Sequence, residues 1–226
     1  MTTRGKMISM KMTDGATVGV YQVEPTGTRR GGLVLIQEIF GVTEHIKELC
    51  DGYAADGYEV LAPSLYDREE PGFSVGYGPD DIQKAIRIAR NEHPFDLSIK
   101  DTQTCIDALK SKGPVFITGY CYGGSVTWVA ACRLNGLNAA SGYYGSLVGQ
   151  FAEETPKCPT ILHFGKHDHG IPLDVADKVK NLHPEVEVYI YDAGHGFNSD
   201  RRTDYNPEAA KLGRDRTLAL FRANGG

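Results

Sequence analysis

Cys121 stands at the centre of Gly119-Tyr120-Cys121-Tyr122-Gly123-Gly124, directly after the apolar run Val115-Phe116-Ile117-Thr118 and before a helix-like segment. The order strand, sharp turn, helix with a nucleophile between small residues is that of a nucleophile elbow, with a thiol where the common pattern has a hydroxyl. Any side chain at Gly119 or Gly123 would crowd the point where the backbone doubles back, so the glycines are a steric requirement of the turn. A thiol held there can attack a carbonyl carbon once its proton is removed. The plain alternative is a buried cysteine in a glycine-rich turn, because free cysteine is among the most buried residue types.

An elbow nucleophile needs a base, and the base needs a carboxylate to orient it, in the chain order nucleophile, acid, histidine. Asp168 follows the apolar run Thr160-Ile161-Leu162-His163-Phe164 in the loop Gly165-Lys166-His167-Asp168, and His195 follows the alternating run Val186 to Tyr191 in Ala193-Gly194-His195-Gly196-Phe197. His195 would activate the thiol, and Asp168 would accept the other ring N–H, fixing the tautomer. The helix expected after the elbow points its N-terminus at Cys121 and favours a thiolate, and the Tyr122 backbone N–H is placed to donate to an oxyanion. Two other chemistries compete. His163, His167, Asp168 and His169 are dense in metal ligands, but the His-x-x-x-His spacing needs a helix and this segment reads as strand and turn, so no metal is expected. A thiol redox pair would need a resolving cysteine, and Cys132 lies eleven residues along the next helix, about 16 Å at helical rise.

The elements that must position these groups read as short β-branched runs alternating with helix-period segments, which predicts an α/β fold: a mostly parallel open sheet with helices on both faces. Strands are expected at Val18 to Val23, Leu33 to Gln37, Glu59 to Ala62, Val115 to Thr118, Ala139 to Tyr143, Thr160 to Phe164 and Val186 to Tyr191. Between Thr43 and Ala55 the residues Ile46, Leu49, Cys50, Tyr53 and Ala54 form one helical stripe. A second helix is expected to open at Ser98 with Asp101 as capping-box partner, and a last one at Asn206 as cap with Pro207 at its first position, running to about Phe221. Trp128 reads as core, and His45, His93 and His183 as surface or helix-end residues.

From Leu33 to about Phe221 the chain resembles the dienelactone hydrolases (carboxymethylenebutenolidases), a cysteine-using branch of the α/β-hydrolase superfamily. The resemblance rests on Gln37-Glu38-Ile39-Phe40-Gly41-Val42, the cysteine elbow, Gly142-Tyr143-Tyr144-Gly145, Asp168 after its glycine-led loop, and Ala193-Gly194-His195. It implies an α/β-hydrolase fold and hydrolysis of an ester or lactone, to maleylacetate in the family reaction, through a thioester on Cys121. It further implies Ile39 as the second oxyanion donor beside Tyr122, and Glu38 as a carboxylate that holds the resting thiol away from histidine until substrate arrives and then takes the thiol proton. The family grips its substrate carboxylate with two arginines. Here Ser199 stands four residues after the histidine with Arg201 and Arg202 displaced, and Gln83 and Lys84 stand where the other arginine is expected. Lys does not replace Arg in a bidentate grip, so a smaller or less anionic ester is an open alternative, with Phe40, Tyr144 and Phe197 as apolar walls and Arg201 or Arg202 near the substrate. A ligand-binding homologue without hydrolase activity is the remaining reading.

The 226 residues suffice for a single domain spanning 1–226, and no linker-like tract divides them. A formal charge of −5 and a pI near 5.8 argue against a nucleic-acid partner, and no run approaches the ~18 apolar residues of a membrane span. Met1 to Met12 lacks the apolar core of a signal peptide, and the five cysteines are odd in number and scattered, so a cytoplasmic location is expected. No cofactor is needed for acyl transfer, the partner is a small-molecule ester or lactone, and nothing argues for more than a monomer.

Overall fold

The strands and helices expected above converge on one sheet in a computed structural model that describes residues 4–226; Met1–Thr3, the start of the polar amino-terminal stretch, lie outside the described residues. In chain order the strands are β1 (Lys6–Lys11), β2 (Thr17–Val23), β3 (Gly31–Ile36), β4 (Tyr58–Pro63), β5 (Val115–Tyr120), β6 (Ala139–Tyr143), β7 (Thr160–Gly165) and β8 (Glu187–Tyr191). The helices are α1 (Glu44–Ala55), α2 (Pro79–Arg87), α3 (Phe95–Lys110), α4 (Tyr122–Arg133), α5 (Leu173–Leu182) and α6 (Pro207–Ala223), with a π-helical turn Ile88–Glu92 continuing α2. Across the sheet the order is β1-β2-β4-β3-β5-β6-β7-β8. β2 runs antiparallel to β1 and β4, and every other neighbouring pair is parallel.

β3 is the centre of this order, with β4 on one side and β5 on the other. The chain therefore leaves the ends of β3 and β5 in opposite directions, and the crevice between those two ends is where an open α/β sheet binds ligands. Glu38 and Ile39 follow β3 and Cys121 follows β5, so the topology alone brings them to one mouth.

Helices cover both faces, as the alternation of β6 makes plain. An added Cβ on Gly142 would press on Gly124 and Thr127 of α4, whereas the next residue, Tyr143, packs its ring on Gly213 of α6. Successive strand residues point to opposite faces, so α4 and α6 lie on opposite sides of the sheet. α1 joins the α6 layer, where the Arg214 guanidinium donates to Asp56 at 2.6 Å and lies over the Tyr53 ring. The interior strands β3, β4, β5 and β7 are buried along their length, as expected for parallel strands covered on both faces.

Local signals set most boundaries. Thr43 caps α1, its hydroxyl accepting from the Ile46 N–H, and Asn206 caps α6 through Ala209 with Pro207 at the first position. Three expectations need correction. β1 is a strand that the sequence reading passed over, because it pairs only with β2 and alternates exposed with half-buried residues. α3 begins at Phe95 with Pro94 as its cap, so Ser98 and Asp101 lie inside the helix: Asp101 accepts two hydrogen bonds from Arg68, and Ser98 turns its hydroxyl inward. His45, His93 and His183 are all buried; His183 Nε2 donates to the Ala152 carbonyl beside Trp128.

Candidate active site

The elbow at Cys121 is strained in the way the glycines suggested. Cys121 has φ 56° and ψ −113°, a conformation that L-residues avoid, and its N–H donates to the Tyr143 carbonyl at 3.0 Å. A Cβ on Gly119 would run into the Gly123 carbonyl, and one on Gly123 into the carbonyls of Ile36 and Gln37. The turn thus closes only because β5, α4 and the end of β3 meet backbone to backbone. Cys121 is half-buried and occupies the cap position of α4, whose dipole favours negative charge on the sulfur.

Two loops from the far side of the sheet reach this sulfur. His195 Nε2 lies 3.2 Å from Cys121 Sγ, and its Nδ1–H donates to Asp168 Oδ2 at 2.7 Å. Asp168 is held in turn by the Gly170 N–H at 2.8 Å on Oδ1. The loops come this close because β7 ends in Gly165, where a Cβ would meet the carbonyl oxygens of Ala193 and Gly194. Burial alone would lower the His195 imidazole, but the Cys121 sulfur and the Asp168 carboxylate outweigh it and push it up to about 10. Such a histidine is charged at neutral pH, so the geometry can hold a thiolate opposite an imidazolium.

Glu38 sits beneath the mouth, almost wholly buried, and neither of its carboxylate oxygens has a hydrogen-bond partner. Burial raises its pKa, opposed by Arg202, whose Nη1 lies 3.7 Å from Oε1, and by His195. The resting arrangement implied by the resemblance, with the thiol turned to this carboxylate, is not the one observed: the sulfur faces His195, and Arg202 is the cation that Glu38 meets. Ile39 and Tyr122 both line the cleft beside Cys121. Gly41, at φ +86°, makes the turn beyond Ile39 where a Cβ would strike the Phe73 carbonyl.

The cleft itself encloses about 1320 Å³. Its lining includes the apolar side chains of Ile82, Ile86, Ala89, Phe95 and Leu147 as well as the charged Arg202. Phe40 lines it, packing edge-on against Tyr77 under the Arg202 guanidinium. Three other expected substrate neighbours lie elsewhere. Arg201 turns outward to Glu48 and Asp200, because the helix α1 carboxylate is nearer than the cleft. Tyr144 and Phe197 are fully buried behind His195: Tyr144 packs on the His195 ring at 5.1 Å and Phe197 on Tyr144 at 5.2 Å, so they support the histidine without walling the cleft.

The competing ligand cluster is split by the strand. His163 is buried in β7 with its ring nitrogens on Ser141 Oγ and the Tyr191 hydroxyl, and burial lowers its pKa to about 3. His167 turns to Asp192, and only Asp168 of the group meets the sulfur's histidine. Cys132 faces the Glu154 carbonyl on the far part of α4. What sequence reasoning missed in the stretch Pro79 to Phe95 is its apolar contribution to the cleft; Ile82, Ile86 and Ala89 at helical spacing are the signal that was present.

The dienelactone hydrolase family model matches residues 18–225. A Salmonella typhimurium protein named "Putative carboxymethylenebutenolidase" is 32% identical over 219 residues, covering 86% of this chain and 77% of that protein. The carboxymethylenebutenolidase of Pseudomonas putida is 29% identical over 230 residues, covering 96% and 95%. A solved Klebsiella pneumoniae structure described as a "Putative Dienelactone Hydrolase" superposes with a TM-score of 0.84 at 28% identity, covering 96% of this chain and 98% of that one.

Proposed function

The chain belongs to the dienelactone hydrolase family, a family of ester and lactone hydrolases with the α/β-hydrolase fold, and from that membership we propose a mechanism in which Cys121 is the nucleophile. The observation that carries the reading is the contact of 3.2 Å between Cys121 Sγ and His195 Nε2, with Asp168 behind the histidine and an open cleft in front of the sulfur.

In this mechanism the Cys121 thiolate attacks the substrate carbonyl carbon and forms a carbon–sulfur bond, and the carbonyl electron pair moves onto oxygen. The Ile39 and Tyr122 amides, which donate to no other described residue, receive that oxyanion. Collapse breaks the carbon–oxygen ester bond, and the imidazolium of His195 gives its proton to the departing alkoxide, which in a lactone remains tethered as the ring-opened alcohol. Water then attacks the thioester with its proton passing to His195, and the thiolate leaves with the acid product released. Asp168 holds the Nδ1–H throughout and favours the charged ring. No metal or cofactor is required for acyl transfer of this kind.

Arg202 lines the cleft with Glu38 buried behind it, and this supports a substrate that carries its own carboxylate, as dienelactone does. Arg202 would pair with it, and burial, which raises the Glu38 pKa, suits that carboxylate to take up the thiol proton as the family resemblance implies. The apolar lining residues Ile82, Ile86 and Ala89 support a second reading, a neutral ester whose alcohol or acyl group packs on them. A reducing, cytoplasmic setting and a single-domain monomer belong to the same proposal; the cysteines are unpaired, and no helix among the described residues is long and apolar enough to cross a membrane.

The test is the ultraviolet loss of a dienelactone on incubation with the purified protein, beside a neutral aryl ester of similar size and the Cys121→Ala variant. Consumption of dienelactone that vanishes in Cys121→Ala is expected. Cleavage of the neutral ester alone would move the substrate assignment to the second reading, and turnover that survives in Cys121→Ala would remove the cysteine from its role.

A further inference from the structure

Besides Asp168–His195–Cys121, the described residues hold another carboxylate–histidine–hydroxyl chain, and it ends on the elbow. Glu69 Oε2 lies 3.0 Å from His93 Nδ1, His93 Nε2 lies 2.9 Å from Ser98 Oγ, and Ser98 Oγ lies 2.8 Å from the hydroxyl of Tyr122. The π-helical turn before His93 swings its ring inward, its N–H closing on the Ile88 carbonyl. Ser98 is fully buried and lines no part of the cleft, so a carbonyl cannot reach it and it is not a second nucleophile.

The donor inventory gives the chain one direction. An ionised Glu69 only accepts, so His93 donates from Nδ1; its Nε2 then accepts from Ser98, and Ser98 accepts from the Tyr122 hydroxyl. Each donor polarises the next, and the row ends on a carboxylate. Burial lowers the His93 pKa and so keeps the ring neutral, the state this row requires. The groups facing it are Glu69 and Asp101, which favour charge, Arg68, which opposes it, and the rings of Tyr66 and Tyr122.

Tyr122 is the residue after the nucleophile and the first residue of α4. Its ring packs edge-on against Phe95 at 5.7 Å and Tyr66 at 5.7 Å, and the hydrogen bond to Ser98 fixes its far end. We propose that Glu69, His93 and Ser98 act as positioning residues for the acyl-transfer step, tethering the Tyr122 ring so that the Tyr122 backbone N–H is aimed at the developing oxyanion. The proposal rests on the cysteine-hydrolase reading above. Tyr122 thereby touches the reaction through its main chain, and the relay acts only through Tyr122.

The experiment compares wild type, Tyr122→Phe, Ser98→Ala and the double variant with p-nitrophenyl acetate, and follows the residue-122 amide by 1H–15N NMR. Misaiming one oxyanion donor costs less than deleting it, so each single variant is expected to lose about 10-fold in kcat with KM within about twofold. The double variant is expected to lose no more than either single, because both cut the same chain. The amide cross-peak is expected to shift in Ser98→Ala, a change made on another helix. Losses that multiply in the double variant, or a folded Tyr122→Phe with wild-type kcat, would overturn the relay. So would an unmoved cross-peak. If Ser98→Ala does not fold, Tyr122→Phe carries the kinetic readout and His93→Gln, a change outside α4 that cuts the same chain, carries the cross-peak. A wild-type protein that cleaves the ester no better than Cys121→Ala would defeat the hydrolase reading, and the cross-peak, which needs no turnover, would still decide the tether.

Discussion

Cys121 and His195 are 74 residues apart in the chain, and the sulfur of one lies 3.2 Å from the ring nitrogen of the other. Each stands on a loop at the C-terminal end of a parallel strand, β5 for the cysteine and β8 for the histidine, three places apart in the sheet. The gap is bridged because Gly165 lets the β8 loop fold over the end of β7.

The state of that pair sets the pH dependence. With His195 pushed up to about 10, kcat/KM holds from neutrality upward and falls as pH rises through about 10, where the imidazolium loses the proton it must give to the leaving group. The folded value lies above the ordinary histidine value of 6.5, so this pairing adds stability that is complete below about 6.5 and is lost as pH climbs through about 10. In Cys121→Ala the largest influence raising the ring is gone, and its NMR titration midpoint moves down. An unmoved midpoint would mean that the sulfur does not charge the histidine.

Glu38→Gln keeps the shape of a buried side chain while removing its ability to ionise or take up a proton. Because the thiol then has no Glu38 carboxylate to take its proton, turnover is expected to fall about 100-fold, with the melting temperature at or above that of wild type, since no hydrogen bond to Glu38 is lost. Near-normal kcat would return Glu38 to a structural role.

Arg202 and Arg201 are neighbours in sequence with different surroundings, one facing Glu38 in the cleft and the other Glu48 outside it. For a substrate carrying a carboxylate, Arg202→Met is expected to raise KM about 10-fold, the size of one lost charge-assisted hydrogen bond, and Arg201→Met to leave it within about twofold. For a neutral aryl ester neither variant moves KM. Equal effects on the charged substrate would remove Arg202 from substrate binding.

Gly123→Ala tests the elbow as a packing joint. The new methyl would drive into the carbonyls of Ile36 and Gln37, which belong to the central strand and the turn after it and cannot yield locally. A loss of about 3 kcal/mol or more in denaturant unfolding is expected, with activity lost in step. A variant as stable as wild type would show that β3 and α4 can move apart.

His163 governs acid stability from the middle of β7. Its ring is buried and neutral, and burial lowers it to about 3, so between about 6.5 and 3 the unfolded chain binds a proton that the folded chain refuses. Stability is full above about 6.5 and declines as pH falls, by about 2 to 3 kcal/mol at pH 4.5 from this group. His163→Gln flattens that decline relative to wild type; equal slopes in the two proteins would reassign the acid sensitivity to other groups, His45 among them.

The chain by itself determined the sharp strand–turn–helix at Cys121, because that turn excludes side chains at Gly119 and Gly123, and a rule of sterics is visible wherever it must be obeyed. It determined the interior strands β3 to β7, since burial on both faces demands apolar runs, and the cap at Asn206, which is satisfied within one helical turn. The folded chain alone decided what depends on partners far apart in sequence. β1 has too little buried surface to announce itself and exists because β2 offers an edge. Ser98 looked like a cap because caps and buried hydroxyls are the same residue type, and only the approach of Tyr122 and His93 distinguishes them. Arg202 faces the cleft and Arg201 does not because Glu48 on α1 competes for the outer one, a choice between two cations one residue apart that local spacing cannot make. Short-range sterics and periodicity are written in neighbouring residues, whereas the polarity of a buried site is settled by which charges the sheet brings within reach.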